Sequence, residues 1–357
     1  MTRISSPQHS PRSKSEQHNP HRIVDQWQRP LRDLRISVTD QCNFRCPYCM
    51  PKCHEGRFDF VSVRDRLSYF ELIRLVHIFT RIGIKKVRLT GGEPLLRPNL
   101  TAFIRAVARI PQIKDIALTT NGSFLNEYAD DLKASGLSRL TISLDTLDQT
   151  HFTRITSQNA TSLEHIIRGI QSAEKAGFRS IKINAVVQKN VNDQDVLGLV
   201  RYFRNTNHVL RFIEFMDVGR LNSWTESSVV KNLSILEHIH RIYPLVPLDP
   251  HYKGEVARRY RFVDGSGEIG FISAVSDPFC EDCHRVRLSS EGFMFPCLYA
   301  AKYLDLRALL RSGQSDHDIL KQIILFWQNR DDQYSLIRQD VGHRSEFKKR
   351  EMYQIGG

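Results

Sequence analysis

From residue 31 onward, short apolar runs with a period of two alternate with longer stretches of helical spacing. The short runs are LRISVT (34–39), KVRLT (86–90), DIALTT (115–120), RLTISLD (139–145), IKINAVV (181–187) and LRFIEFM (210–216). Helix-length segments lie between them, at 70–81, 99–109, 162–176 and 193–204. Six β/α units in succession predict a parallel sheet with right-handed crossovers. Six are fewer than the eight of a closed barrel. The expected fold is therefore α/β, a partial (β/α)6 barrel of TIM type left open along one side.

Parity within the strands says what such a barrel holds, because side chains alternate faces along a strand. One set is apolar: Leu34, Ile36 and Val38; Val87 and Leu89; Ile116 and Leu118; Leu140, Ile142 and Leu144; Ile181 and Ile183. These should pack under the helices. The other set is polar and partly cationic: Arg35, Ser37 and Thr39; Arg88 and Thr90; Ala117 and Thr119; Thr141, Ser143 and Asp145; Lys182 and Asn184; Glu214 and Met216. A filled barrel has branched apolar residues inside, and parallel strands are covered on both faces. Arg35, Arg88 and Lys182 in a lumen without an anion would be costly. The lumen is expected to hold an anionic ligand.

After residue 225 the β/α rhythm stops. Residues 229–242 read as a helix, 256–273 as one or two antiparallel strands, and 316–328 as a helix. The expected domains are a disordered basic arm (1–30), the partial barrel (31–225), a smaller C-terminal α+β region (226–335) and a tail (336–357) ending in Gly356 and Gly357. The first 22 residues offer only Met1 and Ile4 as sizeable apolar groups, so no secretory h-region is expected. No apolar run approaches the roughly 18 residues of a membrane span. A cytoplasmic protein with no membrane partner follows as the expectation. Apolar content of 41% and charged content of 25% are ordinary for a globular chain. The net charge of +12 suits a nucleic-acid binder or a small polyanionic ligand. No Lys/Arg-rich 5–8-mer is present to favour nucleic acid.

The seven cysteines fall in two knots, Cys42, Cys46, Cys49 and Cys53, then Cys280, Cys283 and Cys297. Clustered thiols in a reducing compartment usually hold metal. In the first knot Cys53 could complete a four-ligand zinc site, or it could be a surface thiol beside a three-cysteine set. A four-iron cube normally takes four thiolates, so one held by three keeps an open iron. The second knot, C-x2-C-x13-C, again has three. Arg285 and Arg287 lie between its members, two apart and so on one strand face, where a pair of guanidiniums asks for a phosphate-like anion.

C-x3-C-x2-C with Tyr48 before the last cysteine resembles the signature of radical S-adenosylmethionine (SAM) enzymes. TGGEP (90–94) resembles that family's second motif. The resemblance implies a radical SAM type of partial barrel, with the first [4Fe-4S] cluster on Cys42, Cys46 and Cys49. It also implies SAM contacts at Tyr48, Gly92, Ser143 and Met216. With the second knot, RFIEFMDVG (211–219), GEVARRYRF (254–262) and the terminal IGG, the chain from about Leu31 to Gly357 resembles the GTP 3′,8-cyclase family of molybdenum cofactor biosynthesis. That likeness implies a second [4Fe-4S] cluster on Cys280, Cys283 and Cys297 whose free iron binds guanine. It places GTP contacts at Arg35, Arg88, Thr119, Lys182, Arg285 and Arg287, and brings Gly356 and Gly357 into the active site. The implied reaction starts with a 5′-deoxyadenosyl radical, which removes the ribose 3′ hydrogen of GTP. The 3′ carbon then bonds to C8, giving 3′,8-cyclo-7,8-dihydro-GTP. Implied partners are a flavodoxin or ferredoxin as electron donor, cyclic pyranopterin monophosphate synthase downstream, and a second copy in a homodimer, without nucleic acid. KCHEGRFDF (52–60) and RLNSW (220–224) depart from the family pattern, at no ligand position. Competing readings are a radical peptide maturase with an auxiliary cluster and a zinc-stabilised nucleic-acid module.

Overall fold

The computed structural model describes residues 23–158, 161–334 and 350–357. The six expected strands are present: β1 (Asp33–Ser37), β2 (Lys86–Thr90), β3 (Asp115–Thr120), β4 (Arg139–Ser143), β5 (Lys182–Val187) and β6 (Val209–Glu214). They pair parallel in chain order. Helices α1 (Tyr69–Thr80), α2 (Leu100–Ala108), α3 (Leu125–Ala134), α4 (Gln149–Thr156), α5 (Leu163–Lys175) and α6 (Val196–Phe203) supply the crossovers. Local chemistry starts several of them. Ser68 and Glu71 form a reciprocal capping box at α1, and the Ser162 side chain accepts from His165 N at α5.

The apolar parity set packs as expected. Leu34, Ile36, Val87, Leu89, Leu118, Ile142, Ile181 and Ile183 are fully buried in one continuous core beneath the helices. Among the described residues no helix is long and apolar enough to cross a membrane.

Beyond residue 225 come α7 (Asn232–Ile242), β7 (Leu245–Leu248), β8 (Arg258–Phe262), β9 (Glu268–Ile272), β10 (Arg285–Leu288), β11 (Phe293–Phe295), β12 (Leu304–Asp305), α8 (Leu306–Arg311) and α9 (Asp316–Gln328). Their strands do not form a separate sheet. β9 adds parallel to β6 and β10 adds parallel to β1. One twelve-stranded sheet results among the described residues, in the order β12-β11-β10-β1-β2-β3-β4-β5-β6-β9-β8-β7. Nothing local encodes these additions. Arg285 pairs with Asp33, some 250 residues earlier in the chain, and no periodicity window sees across that gap.

Two expectations need correction. Within 1–30, residues 23–30 are packed, with Asp25 and Arg29 buried. Their polarity reads as disorder in sequence, but Arg29 Nε bonds Asp25 Oδ2 at 2.6 Å, so the charges cancel locally. Residues 1–22 and residues 336–349 of the tail lie outside the described residues. Glu214, expected in the lumen, borders the cavity but does so from the strand end, because it shares parity with Leu210 and Phe212, which face the helices. Its carboxylate accepts from Asn232 N at 2.9 Å, Val275 N at 2.9 Å and Ser276 N at 2.8 Å. It ties loops together, and Arg211 takes the lumen position instead.

The two faces of β4 give a direct check. Ile142→Ala should lower stability to urea unfolding by about 2–5 kcal/mol. Its lumen-facing neighbour, Ser143→Ala, should change stability by less than about 1 kcal/mol.

Candidate active site

The first cysteine loop leaves the carboxyl end of β1. Its turn is closed by Cys49 N on Cys46 O at 3.0 Å and Met50 N on Cys46 O at 2.8 Å. Phe44 N donates to Cys42 Sγ at 3.4 Å. The Tyr48 hydroxyl donates to Asp145 Oδ2 at 2.7 Å, tying the loop to the end of β4. The TGGEP segment docks on this loop, Gly92 N to Thr39 O and Glu93 N to Gln41 O, both at 2.8 Å. A Cβ at Gly91 would press on Thr39 backbone, and one at Gly92 would overlap the Gln41 carbonyl. The paired glycines are thus needed first for loop-on-loop contact, besides bordering the cavity.

Cys42, Cys46 and Cys49 line a cavity of about 350 Å³, and so do Cys280, Cys283 and Cys297. All six thiols are free. Burial pushes Cys42 up to about 12 and also raises Cys46 and Cys49, so a metal's charge must offset the cost of thiolates here. Burial likewise takes Cys297 to about 12. At Cys283 burial acts upward, but the Arg285 and Arg330 guanidiniums outweigh it and hold the thiol at about 5. Cys53 is exposed on the single turn Lys52–His54, away from the cavity lining.

The same cavity carries a cationic wall. β10, β1 and β2 lie side by side, with Arg287 in register with Arg35 and Arg35 with Arg88. Lys182 follows on β5 and Arg211 on β6. Burial, then Arg287, Arg285 and Arg88, push Arg35 well down. Burial and neighbouring arginines bring Arg88 and Arg287 to about 10 and Lys182 to about 7. The wall can accept a polyanion, which would relieve all of these at once.

Two family descriptions match the chain: Radical SAM superfamily over residues 36–203 and Molybdenum Cofactor Synthesis C over residues 208–336. A GTP 3′,8-cyclase of Xanthomonas axonopodis pv. citri is 46% identical over 335 residues, 94% of this chain and 99% of that one. The same name belongs to relatives in Acidothermus cellulolyticus, 46% identical over 88% of each chain, and Staphylococcus epidermidis, 42% identical over 94% of this chain and 99% of that one.

The chain belongs to the GTP 3′,8-cyclase family. It is a radical SAM enzyme chain of the molybdenum cofactor biosynthesis type, and membership implies a [4Fe-4S] cluster and SAM. Among solved structures, Streptococcus suis SuiB bound to its precursor peptide SuiA superposes with a TM-score of 0.59 at 15% identity, over 89% of this chain and 68% of that one. That likeness shows the shared fold alone, and the maturase reading gains nothing from it.

For this GTP 3′,8-cyclase family member, the structure brings every expected site residue but one to the cavity. Tyr48, Gly92, Ser143, Met216, Arg35, Arg88, Thr119, Lys182, Arg285, Arg287 and Gly357 all line it. Thr119 Oγ1 accepts from Arg88 Nη1 at 3.1 Å. Met216, beyond the end of β6, also packs with Cys297 against Val218, Tyr299 and Tyr334. Gly356, at φ +71°, lies against Thr90, and its carbonyl accepts from Arg287 Nη1. Sequence reasoning missed Lys86, Arg139 and Arg211 on the same wall. The parity rule, extended to the first residues of β2 and β4 and applied with Leu210 and Phe212 as the helix face of β6, finds all three. The same extension to the first residue of β1 finds Asp33, whereas Arg29, Arg330 and His284 carry no such signal.

Gly92→Ala is expected to lose SAM binding in equilibrium titration. Gly198→Ala, at an exposed position of α6 with open space around it, should instead stabilise the chain by about 0.5–1 kcal/mol. A second expectation concerns pH. Lys182 has a folded value of about 7 against 10.5 in the unfolded chain, so its buried ammonium costs stability fully below about pH 7. That cost fades as pH rises toward 10.5. Lys182→Met should therefore raise the melting temperature of the ligand-free chain most below pH 7, and the gain should shrink at alkaline pH.

Proposed function

We infer that this chain converts GTP to (8S)-3′,8-cyclo-7,8-dihydroguanosine 5′-triphosphate, with its substrate held between two [4Fe-4S] clusters. The observation that carries this reading is the arginine row Arg287–Arg35–Arg88 on three adjacent strands, lying in one cavity with two three-cysteine sets.

In this reading Cys42, Cys46 and Cys49 hold one cluster, and Tyr48, Gly92, Ser143 and Met216 surround SAM. When bound, that pair supplies the 5′-deoxyadenosyl radical that removes the ribose 3′ hydrogen. Cys280, Cys283 and Cys297 would hold the second cluster and, with three thiolates, would leave it able to take a nitrogen ligand from the guanine base. The triphosphate lies along Arg35, Arg88, Lys182, Arg285 and Arg287, with Thr119 fixing the Arg88 fork. Guanidiniums suit this work because they grip phosphate oxygens in pairs and stay charged. Fixing both ends of the nucleotide sets the ribose at near-attack distance. Gly356 and Gly357 close over Arg287, where a side chain on Gly356 would strike Thr90. A flavodoxin or ferredoxin donor, a downstream cyclic pyranopterin monophosphate synthase and a homodimeric state complete the proposal.

The test is Arg287→Ala in anaerobically reconstituted protein. Cyclised product should fall by roughly 100-fold or more, while iron stays at about eight per chain. Unchanged turnover would remove Arg287 from the substrate site.

A further inference from the structure

The N-terminal segment before β1 and the residues after α9 meet beneath the second cysteine knot. Asp25 accepts from Trp27 N at 3.0 Å, Arg29 N at 2.8 Å and Arg29 Nε at 2.6 Å. Arg330 Nη1 lies 3.3 Å from the same carboxylate. Two guanidiniums thus share one carboxylate, and all three side chains are at most 1% exposed. Trp327 locks the arrangement. Its Nε1 donates to Arg29 O at 3.2 Å, and the Arg330 guanidinium sits 4.6 Å from its ring centroid.

The remaining donors point at the cysteines' own backbone. Arg29 Nη1 donates to Cys280 O at 2.8 Å and to Asp332 O at 2.9 Å. Arg330 Nη1 donates to Cys283 O at 2.8 Å. Both arginines border the cavity. Arg29 Nη2 is buried and has no hydrogen-bond partner among the described residues. An unmet buried donor on a charged group is expensive, and a sulfur-bearing anion beside Cys280 would meet it.

We propose that Arg29 and Arg330, aligned by Asp25, are positioning residues for the second cluster, bracing the Cys280–Cys283 turn from below and setting positive charge behind its thiolates. The proposal rests on the two-cluster reading above. Its physical basis is a chain closure. The Cys280–Cys283 turn is a single short 3-10 turn, Cys280–Asp282, closed by Cys283 N on Cys280 O. Two buried forks from opposite ends of the chain brace it. Charge-assisted bonds of this kind are stronger than neutral ones, and partners outside the ligand set commonly orient and tune a metal site.

The experiment compares anaerobically reconstituted full-length wild type with Arg29→Gln and Arg330→Gln. Iron content and the electron paramagnetic resonance of the reduced clusters are read with SAM or with GTP added. In the Gln variants iron should drop from about eight to about four per chain. The signal that responds to GTP should disappear, and the one that responds to SAM should persist. Arg29→Lys and Arg330→Lys keep the charge but lose the fork. They should retain part of the GTP-responsive signal at a shifted reduction potential. Full iron with an unchanged GTP-responsive signal and potential in all four variants would overturn the proposal. So would equal loss of both clusters in the Lys variants, which would assign the brace to general folding. Wild type holding only about four irons would overturn the two-cluster reading itself, and the brace with it.

Discussion

The structure is organised around an unfavourable interaction. Arg287, Arg35 and Arg88 stand in register on neighbouring strands, buried or half-buried, with Lys182 and Arg211 further along the same wall. Unit charges about 5 Å apart repel by roughly 3 kcal/mol at an effective dielectric of about 20. Asp33 offsets part of this, held at about 2 because its bonds to His284 and Lys86 outweigh the upward pull of burial. Glu255 stands 3.9 Å from Arg211, and Asp115 pairs with Arg139, while burial and the neighbouring guanidiniums still hold Arg35, Arg88 and Arg287 down.

That arrangement needs a sheet wide enough to carry the charges and apolar enough behind to hold its shape. Alternation along each strand supplies both. Ile36, Leu89, Ile142 and Ile183 fasten the sheet to its helices, while their neighbours carry the site. The cysteine sets then line the same cavity. One emerges from the loop after β1, where TGGEP packs on it through glycines. The other enters through β10, which adds itself beside β1. The row is complete only because β10 pairs there.

Much of this was legible beforehand. Six strands were placed within a residue or two of their observed bounds, since strict period-two runs between helical stretches admit few other foldings. Arg35, Arg88, Thr119, Lys182 and Ser143 followed from parity alone, and the cysteine sets followed from spacing. Glu214 shows where parity fails. It borders the cavity although it shares the parity of the helix-facing Leu210 and Phe212. The amides that satisfy its carboxylate come from residues 232, 275 and 276, beyond the reach of any local pattern. Residues 23–30 failed for the same reason. An Asp25–Arg29 pair sealed by Trp327 and Arg330 looks like solvated polarity until both chain ends are brought together.

Sequence by itself determined the strand order of the barrel, which face of each strand is apolar, and the types of ligand atom gathered in each knot. Each is written in neighbours a few residues apart, where periodicity and spacing operate. Tertiary structure decided that both knots face one cavity, that Arg285 and Arg287 extend the row begun by Arg35, and that the two chain ends brace the Cys280–Cys283 turn. Those outcomes depend on pairings across some 250 to 300 residues, which are set by the packing of the whole sheet and by buried charge seeking its counterpart.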